Sequence, residues 1–171
     1  ATSNRTHVMT GQYRGMQTLL IGIDGACESV LGPLLESETL PNLEAIFDSG
    51  IAGPLESQIP PWTPSAWPSM YTGMNPGKHG ILDFLAFDGY DWSVINASYL
   101  QERPIWEHLD HYGLSSVVVN VPVTYPPEPF EGALLPGYTA PENPTCYPEG
   151  LLDDVRYQTG EYRVYPDDAS I

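Results

Sequence analysis

"PIWEHLDHYGLSSVVVNVPV", residues Pro104–Val123, carries the reading of the fold. Ile105, Trp106 and Leu109 recur at helical spacing, and Gly113 supplies a stop. "SSVVVNVPV" is β-branched and apolar at successive positions, the pattern of a strand covered on both faces. A helix feeding such a strand is the repeating unit of an α/β chain. Working outward, "QTLLIGIDG" (17–25) reads as a second buried strand that delivers Asp24 to its C-terminal edge, where open α/β sheets place their ligands. "TLPNLEAIFDSG" (39–50) reads as a helix, with Leu43, Ile46 and Phe47 on one face, Pro41 in the first turn and Gly50 at the end. "IAGPLESQ" (51–58) and "GALLPGY" (132–138) are candidate short strands, and "LLDDVRYQTG" (151–160) is a brief helix. No internal repeat is present.

With 171 residues, 42% hydrophobic, the chain suits one globular unit. The polar residues 1–15 read as a flexible extension, and 16–171 as the folded part. No apolar run reaches the roughly 18 to 20 residues that span a bilayer, and no signal peptide core is present, so the expected location is the cytoplasm. Twenty-two acidic residues face six basic ones, and Lys78 is the single lysine. A net charge of −16 repels nucleic acid and anionic membranes. Such a surface suits a cytoplasm at very high salt, as in a halophilic archaeon, where screening removes self-repulsion. Cys27 and Cys146 match no metal spacing and read as free thiols.

"IPPWTPSAWPSMYTGMNPGKHGILDF" (59–84) is too rich in proline and glycine for a simple connector. Thr63 followed by Pro64 reads as an N-cap and first helical residue. The first turn then aims its N–H groups and dipole at whatever lies beside the Thr63 hydroxyl, a geometry that suits phosphate. A hydroxyl there becomes a nucleophile when a metal lowers its pKa, and Asp24 is the natural ligand for that metal. Pro68, five residues into the helix, should kink or shorten it.

"LLIGIDG", "LPNLEAIFDSG", "PPWTPSAWPSMYTGMNPGKHGILDF" and "NVPVTYPPEPFEGALLPGY", in this order, resemble the N-terminal part of the type I phosphodiesterase/nucleotide pyrophosphatase family of the alkaline phosphatase superfamily. The resemblance runs from about Thr18 to about Tyr138. It implies an alkaline-phosphatase-like layered sheet with helices on both faces, of which this chain is the N-terminal segment. It implies Thr63 as nucleophile and as a metal ligand beside Asp24, in a site for two divalent ions, zinc or else manganese, whose remaining ligands are not in this chain. The implied substrate is a small phosphoester or nucleotide, with a missing C-terminal half or a second copy as partner. The isolated chain is accordingly expected to be inactive.

Rival readings attach to the same residues. Ser65 and Ser69 are competing hydroxyls, with Ser65 placed to assist substrate binding. Trp62 and Trp67 either stack on a leaving group or fill the core, Trp67 suiting the core. Of His7, His79, His108 and His111, only His79 falls in a matching block, "GKHGI", which in the family supports the loop after the nucleophile helix. A triad of Ser65, His79 and Asp83 lacks a GxSxG elbow, and "TPSAW" lacks the arginine of a sulfatase. The acidic clusters "LLDD", "FDGYD" and "YPDD" read as solvated surface. The non-enzyme alternative is an interaction or regulatory module that keeps the nucleophile loop.

Overall fold

The stretch Pro104–Val123 folds into a helix and a strand joined at a glycine. The computed structural model describes residues 18–165, so the expected extension at 1–15 lies outside the described residues. Ten helices and strands follow in chain order: α1 (Glu28–Glu36), α2 (Pro41–Ser49), α3 (Thr63–Thr72), α4 (Pro76–His79), β1 (Leu85–Asp88), β2 (Asp91–Val94), α5 (Ile105–His111), β3 (Ser116–Val121), β4 (Gly132–Pro136) and α6 (Leu151–Thr159). A 3-10 turn spans Ala97–Tyr99. The class is α/β, with two two-stranded sheets among the described residues.

Helix α5 stops because Gly113 takes a φ of +70°. Its N–H bonds the Asp110 carbonyl at 2.8 Å, and the Leu114 N–H reaches Leu109 at 3.0 Å, a Schellman ending. Parallel pairing of β3 with β4 runs from Ser116 opposite Gly132 to Val119 opposite Leu135. A bulge at Asn120 then shifts the register so that Val121 faces Pro136. Trp106 of α5 buries its indole against Tyr71, Val118, Phe130 and Leu134. The Tyr71 and Trp106 rings lie 4.9 Å apart, and the Tyr71 hydroxyl donates to the Val123 carbonyl at 3.1 Å. Ile81, Ile95 and Val123 form a second cluster, and Leu135, Cys146 and Leu152 a third.

Four expectations are corrected. Residues 18–23 form no strand, and Leu19, Leu20, Ile21 and Ile23 are 61–67% exposed; an apolar run becomes a strand only where a neighbouring ladder accepts its N–H and C=O groups, and none of the described strands pairs with it. Strand β3 is covered on one face alone, with Val118 buried while Val117 and Val119 are 75% and 51% exposed. Residues 51–58 form no strand. Helix α3 is not shortened at Pro68 but runs through it to Thr72, with the Ser69 and Thr72 hydroxyls adding bonds to the Ser65 and Pro68 carbonyls.

Four elements went unread: α1, α4 and the two strands β1 and β2. "FDGYD" is indeed surface, but it is also the turn of the β1–β2 hairpin, with Gly89 at φ +65° as the first of two loop residues. Asp-Gly between apolar alternations is the sequence sign of such a turn. Helix α1 was hidden by Gly32 and Pro33, both inside it.

Candidate active site

Asp24 sits in a tight turn directly after the bare apolar segment. The Ala26 N–H donates to the Ile23 carbonyl at 3.3 Å, and Gly25 takes a φ of +71°. That reversal leaves the Asp24 carboxylate projecting, open to solvent. From the other side comes α3. Its cap is Trp62, in extended conformation, whose carbonyl accepts from Ser65 N–H at 3.1 Å and Ala66 N–H at 2.8 Å. This corrects the expectation of an N-cap at Thr63, which is the first helical residue with Pro64 second. Freed from capping, the Thr63 hydroxyl donates to Asp24 Oδ2 at 2.9 Å, across 39 residues of sequence. A carboxylate at the start of a helix also lies at the favourable end of its dipole.

A second contact holds the pair together. Gly22 lies against the Trp67 indole, so closely that a Cβ on Gly22 would enter the ring. Trp67 is one turn beyond Thr63 on α3, and Gly22 is two residues before Asp24. The backbone-on-ring contact therefore sets the same approach that the hydrogen bond uses. A glycine inside an apolar run is the sequence signal for such close approach, and it was not taken up for Gly22.

Behind α3 lies a buried polar chain. His79 and Ser65 are fully buried. His79 Nδ1 accepts from the Ile81 N–H at 3.2 Å, while Nε2 lies 3.0 Å from Ser69 Oγ. Burial holds the imidazole pKa below its ordinary value, partly offset by the backbone of Ser65 and of His79 itself. Ser65 Oγ donates to Pro60 O at 2.7 Å and lies 3.1 Å from Trp62 O. It also accepts from Gln58 Nε2 at 3.3 Å. Ser65 thus faces the interior, away from the role of substrate contact expected of it.

Among the other candidates, Trp62 is 49% exposed beside Thr63, whereas Trp67 packs on the Tyr71–Trp106 cluster. His108 and His111 lie on α5, and the His111 ring meets Tyr112 edge-on at 5.3 Å. His7 lies outside the described residues. Cys27 is exposed and Cys146 buried, both free.

The sequence matches the family model for type I phosphodiesterase / nucleotide pyrophosphatase over residues 18–166. The chain belongs to that family. No curated protein and no solved structure matches it. As a type I phosphodiesterase/nucleotide pyrophosphatase domain, the chain is of the phosphoester-hydrolysing class, and the family match extends past Tyr138 to include α6.

Proteins of this family typically depend on metal ions. Oxygen donors at Asp24 and Thr63 are of the right kind and are near enough to share one ion. Among the described residues, however, no group of three or more His, Cys, Asp or Glu converges. Two oxygens fall short of the four ligands a zinc site takes, so the described residues alone do not make a metal centre. None of the described helices is long and apolar enough to cross a membrane.

Proposed function

We propose that this domain carries the nucleophile half of a phosphoester hydrolase, with Thr63 as nucleophile and Asp24 as the carboxylate that orients it. The single observation behind the reading is the 2.9 Å hydrogen bond from Thr63 Oγ1 to Asp24 Oδ2 at the open N-terminal end of α3. In the proposed reaction Thr63 Oγ bonds to phosphorus as its proton passes to Asp24, the bond to the leaving oxygen breaks, and water then releases the phosphoryl group while Oγ regains a proton. Asp24 fixes the lone pair of Oγ by accepting its hydrogen. The helix dipole favours the anionic substrate at the same spot. Asp24 and Thr63, together with ligands from outside this chain, would hold a divalent ion, zinc or manganese, whose charge would lower the pKa of the hydroxyl. The substrate class is a small phosphoester or nucleotide, for which exposed Trp62 offers a stacking surface.

The same proposal takes the chain as the N-terminal segment of an alkaline-phosphatase-like layered sheet. The bare apolar residues of 19–23 and the outward face of β3 support it, since apolar strands of this kind are covered on both faces in layered folds. The acid-rich, lysine-poor composition supports work at high salt in a cytoplasm.

The test is hydrolysis of bis-p-nitrophenyl phosphate by the full-length protein with zinc or manganese added, together with mass spectrometry of the enzyme quenched during turnover. Departure of one p-nitrophenolate leaves p-nitrophenyl phosphate esterified to Thr63, which is the expected adduct. An adduct elsewhere, or full turnover by Thr63→Ala, removes the assignment. Metal-replete protein without any turnover favours the interaction module instead.

A further inference from the structure

We infer that His79, Ser69 and Ser65 form a positioning relay that sets where the Thr63 hydroxyl stands, with Gln58 as its outer anchor. The inference deepens the proposed function and rests on Thr63 being the reacting group.

Hydrogen-bond counting fixes the direction of the relay. The Ile81 N–H donates to His79 Nδ1 at 3.2 Å, so in the neutral ring the proton is on Nε2. The Nε2–H therefore donates to Ser69 Oγ at 3.0 Å. Ser69 has one hydroxyl proton, and it goes to the Ser65 carbonyl at 2.8 Å. Ser65 Oγ in turn donates to Pro60 O and receives Gln58 Nε2, which also donates to Pro60 O at 2.7 Å. Each hydroxyl in the chain both gives and receives. The residues tied together are the two flanks of Thr63: Pro60 and Trp62 before it, Ser65 and Ser69 after it.

Physical need for such a relay follows from the sequence around it. Pro68 removes the N–H that would bond the Pro64 carbonyl within α3, and Pro60 and Pro61 leave the entry to the helix without donors of their own. Side chains do the pinning in their place. Ser65 and His79 are fully buried, where an unmatched polar atom costs more than a bond is worth, so the chain has one low-energy arrangement. The far end of the relay is equally fixed, because the Gln101 N–H donates to the His79 carbonyl at 3.0 Å.

The experiment compares Ser69→Ala, Ser69→Thr and Thr72→Ala in this chain by NMR. Thr72 makes the same kind of hydroxyl-to-carbonyl bond, to Pro68, at the opposite end of α3. It serves as a control for helix loosening. Long-range nitrogen spectra of His79 should show the Nε2–H form. Ser69→Ala should displace the Thr63 and Asp24 resonances well beyond Thr72→Ala, and Ser69→Thr should restore them. In the full-length protein, Ser69→Ala should lower kcat on bis-p-nitrophenyl phosphate by about tenfold to about a hundredfold, the scale of a small misplacement of a reacting group, with KM little changed. Thr63 shifts in Ser69→Ala no larger than in Thr72→Ala, or an Nδ1–H imidazole, would overturn the relay. Should Ser69→Ala be unfolded, His79→Gln, which keeps a donor toward Ser69, serves instead: wild-type Thr63 resonances support the relay, and displaced ones in a folded protein overturn it. Full turnover by Thr63→Ala would sink the proposed function alone, leaving these NMR differences in place.

Discussion

The two arms that meet at the candidate site are built in opposite ways. Asp24 arrives on a segment whose leucines and isoleucines are mostly exposed, and two contacts attach it to α3: its bond to Thr63 and the packing of Gly22 on Trp67. Thr63 arrives on a helix whose inner side is buried down to Pro64, Ser65, Pro68 and Tyr71, backed by His79. Precision on the Thr63 side is therefore intrinsic to the local fold. On the Asp24 side it is borrowed from α3, and it holds only while the indole and the hydroxyl are there to receive it.

The sharpest way to break this comparison is at its chemical end. Thr63→Ala should cut turnover of bis-p-nitrophenyl phosphate by at least about a thousandfold with α3 still folded, as loss of a nucleophile does. Next in size, Asp24→Asn should weaken binding of one divalent ion by at least about tenfold in calorimetric titration, while Thr63 keeps its hydroxyl environment. Unchanged metal affinity would remove Asp24 from the ligand set.

Gly22→Ala probes the borrowed side directly. A methyl driven into the Trp67 ring should weaken docking of the Asp24 arm by about 1–3 kcal/mol, the range for overfilling a tight contact. Its signature is loss of the nuclear Overhauser contact between residue 22 and the indole, with the α3 signals preserved. If α3 shifts as much as the Asp24 turn, the arms are not separable as described.

A smaller effect belongs to the intrinsic side. The His79 pKa is held below 6.5, so the unfolded chain binds the proton more readily than the folded one. Stability from this group is full above about pH 6.5 and falls as pH drops below it toward the lowered folded value. His79→Gln should flatten that portion of a melting-temperature profile, and an unchanged slope would assign it to carboxylates. Smallest per residue is the charge effect. At −16 the chain should gain stability as KCl is raised, through screening; a flat response would count against salt adaptation.

Reading the sequence reached most local structure because local structure there is locally encoded. Helix α2 begins at Pro41 as expected, α5 ends at Gly113, and β4 and α6 fall within their anticipated segments. The choice of Asp24 and Thr63 as a pair came from ordered blocks, and the coordinates bring their side chains within bonding distance. What could not be read was mostly pairwise. Nothing in "LLIGIDG" shows whether a neighbouring ladder is present, and nothing in "TPSAWPS" distinguishes a serine turned outward from one tied to Pro60.

Composition, turn residues and apolar spacing by themselves determined an acidic α/β chain with a hydroxyl at a helix start and a carboxylate after an apolar run. Those properties depend on backbone preferences within a few residues, which the sequence states directly. Tertiary structure alone decided that Trp62 caps α3, that Ser65 turns inward, and that Gly22 meets Trp67. The last depends on a partner distant in sequence, and the first two on which of several nearby carbonyls, Pro60 O and Trp62 O among them, the first turn of α3 takes as acceptors.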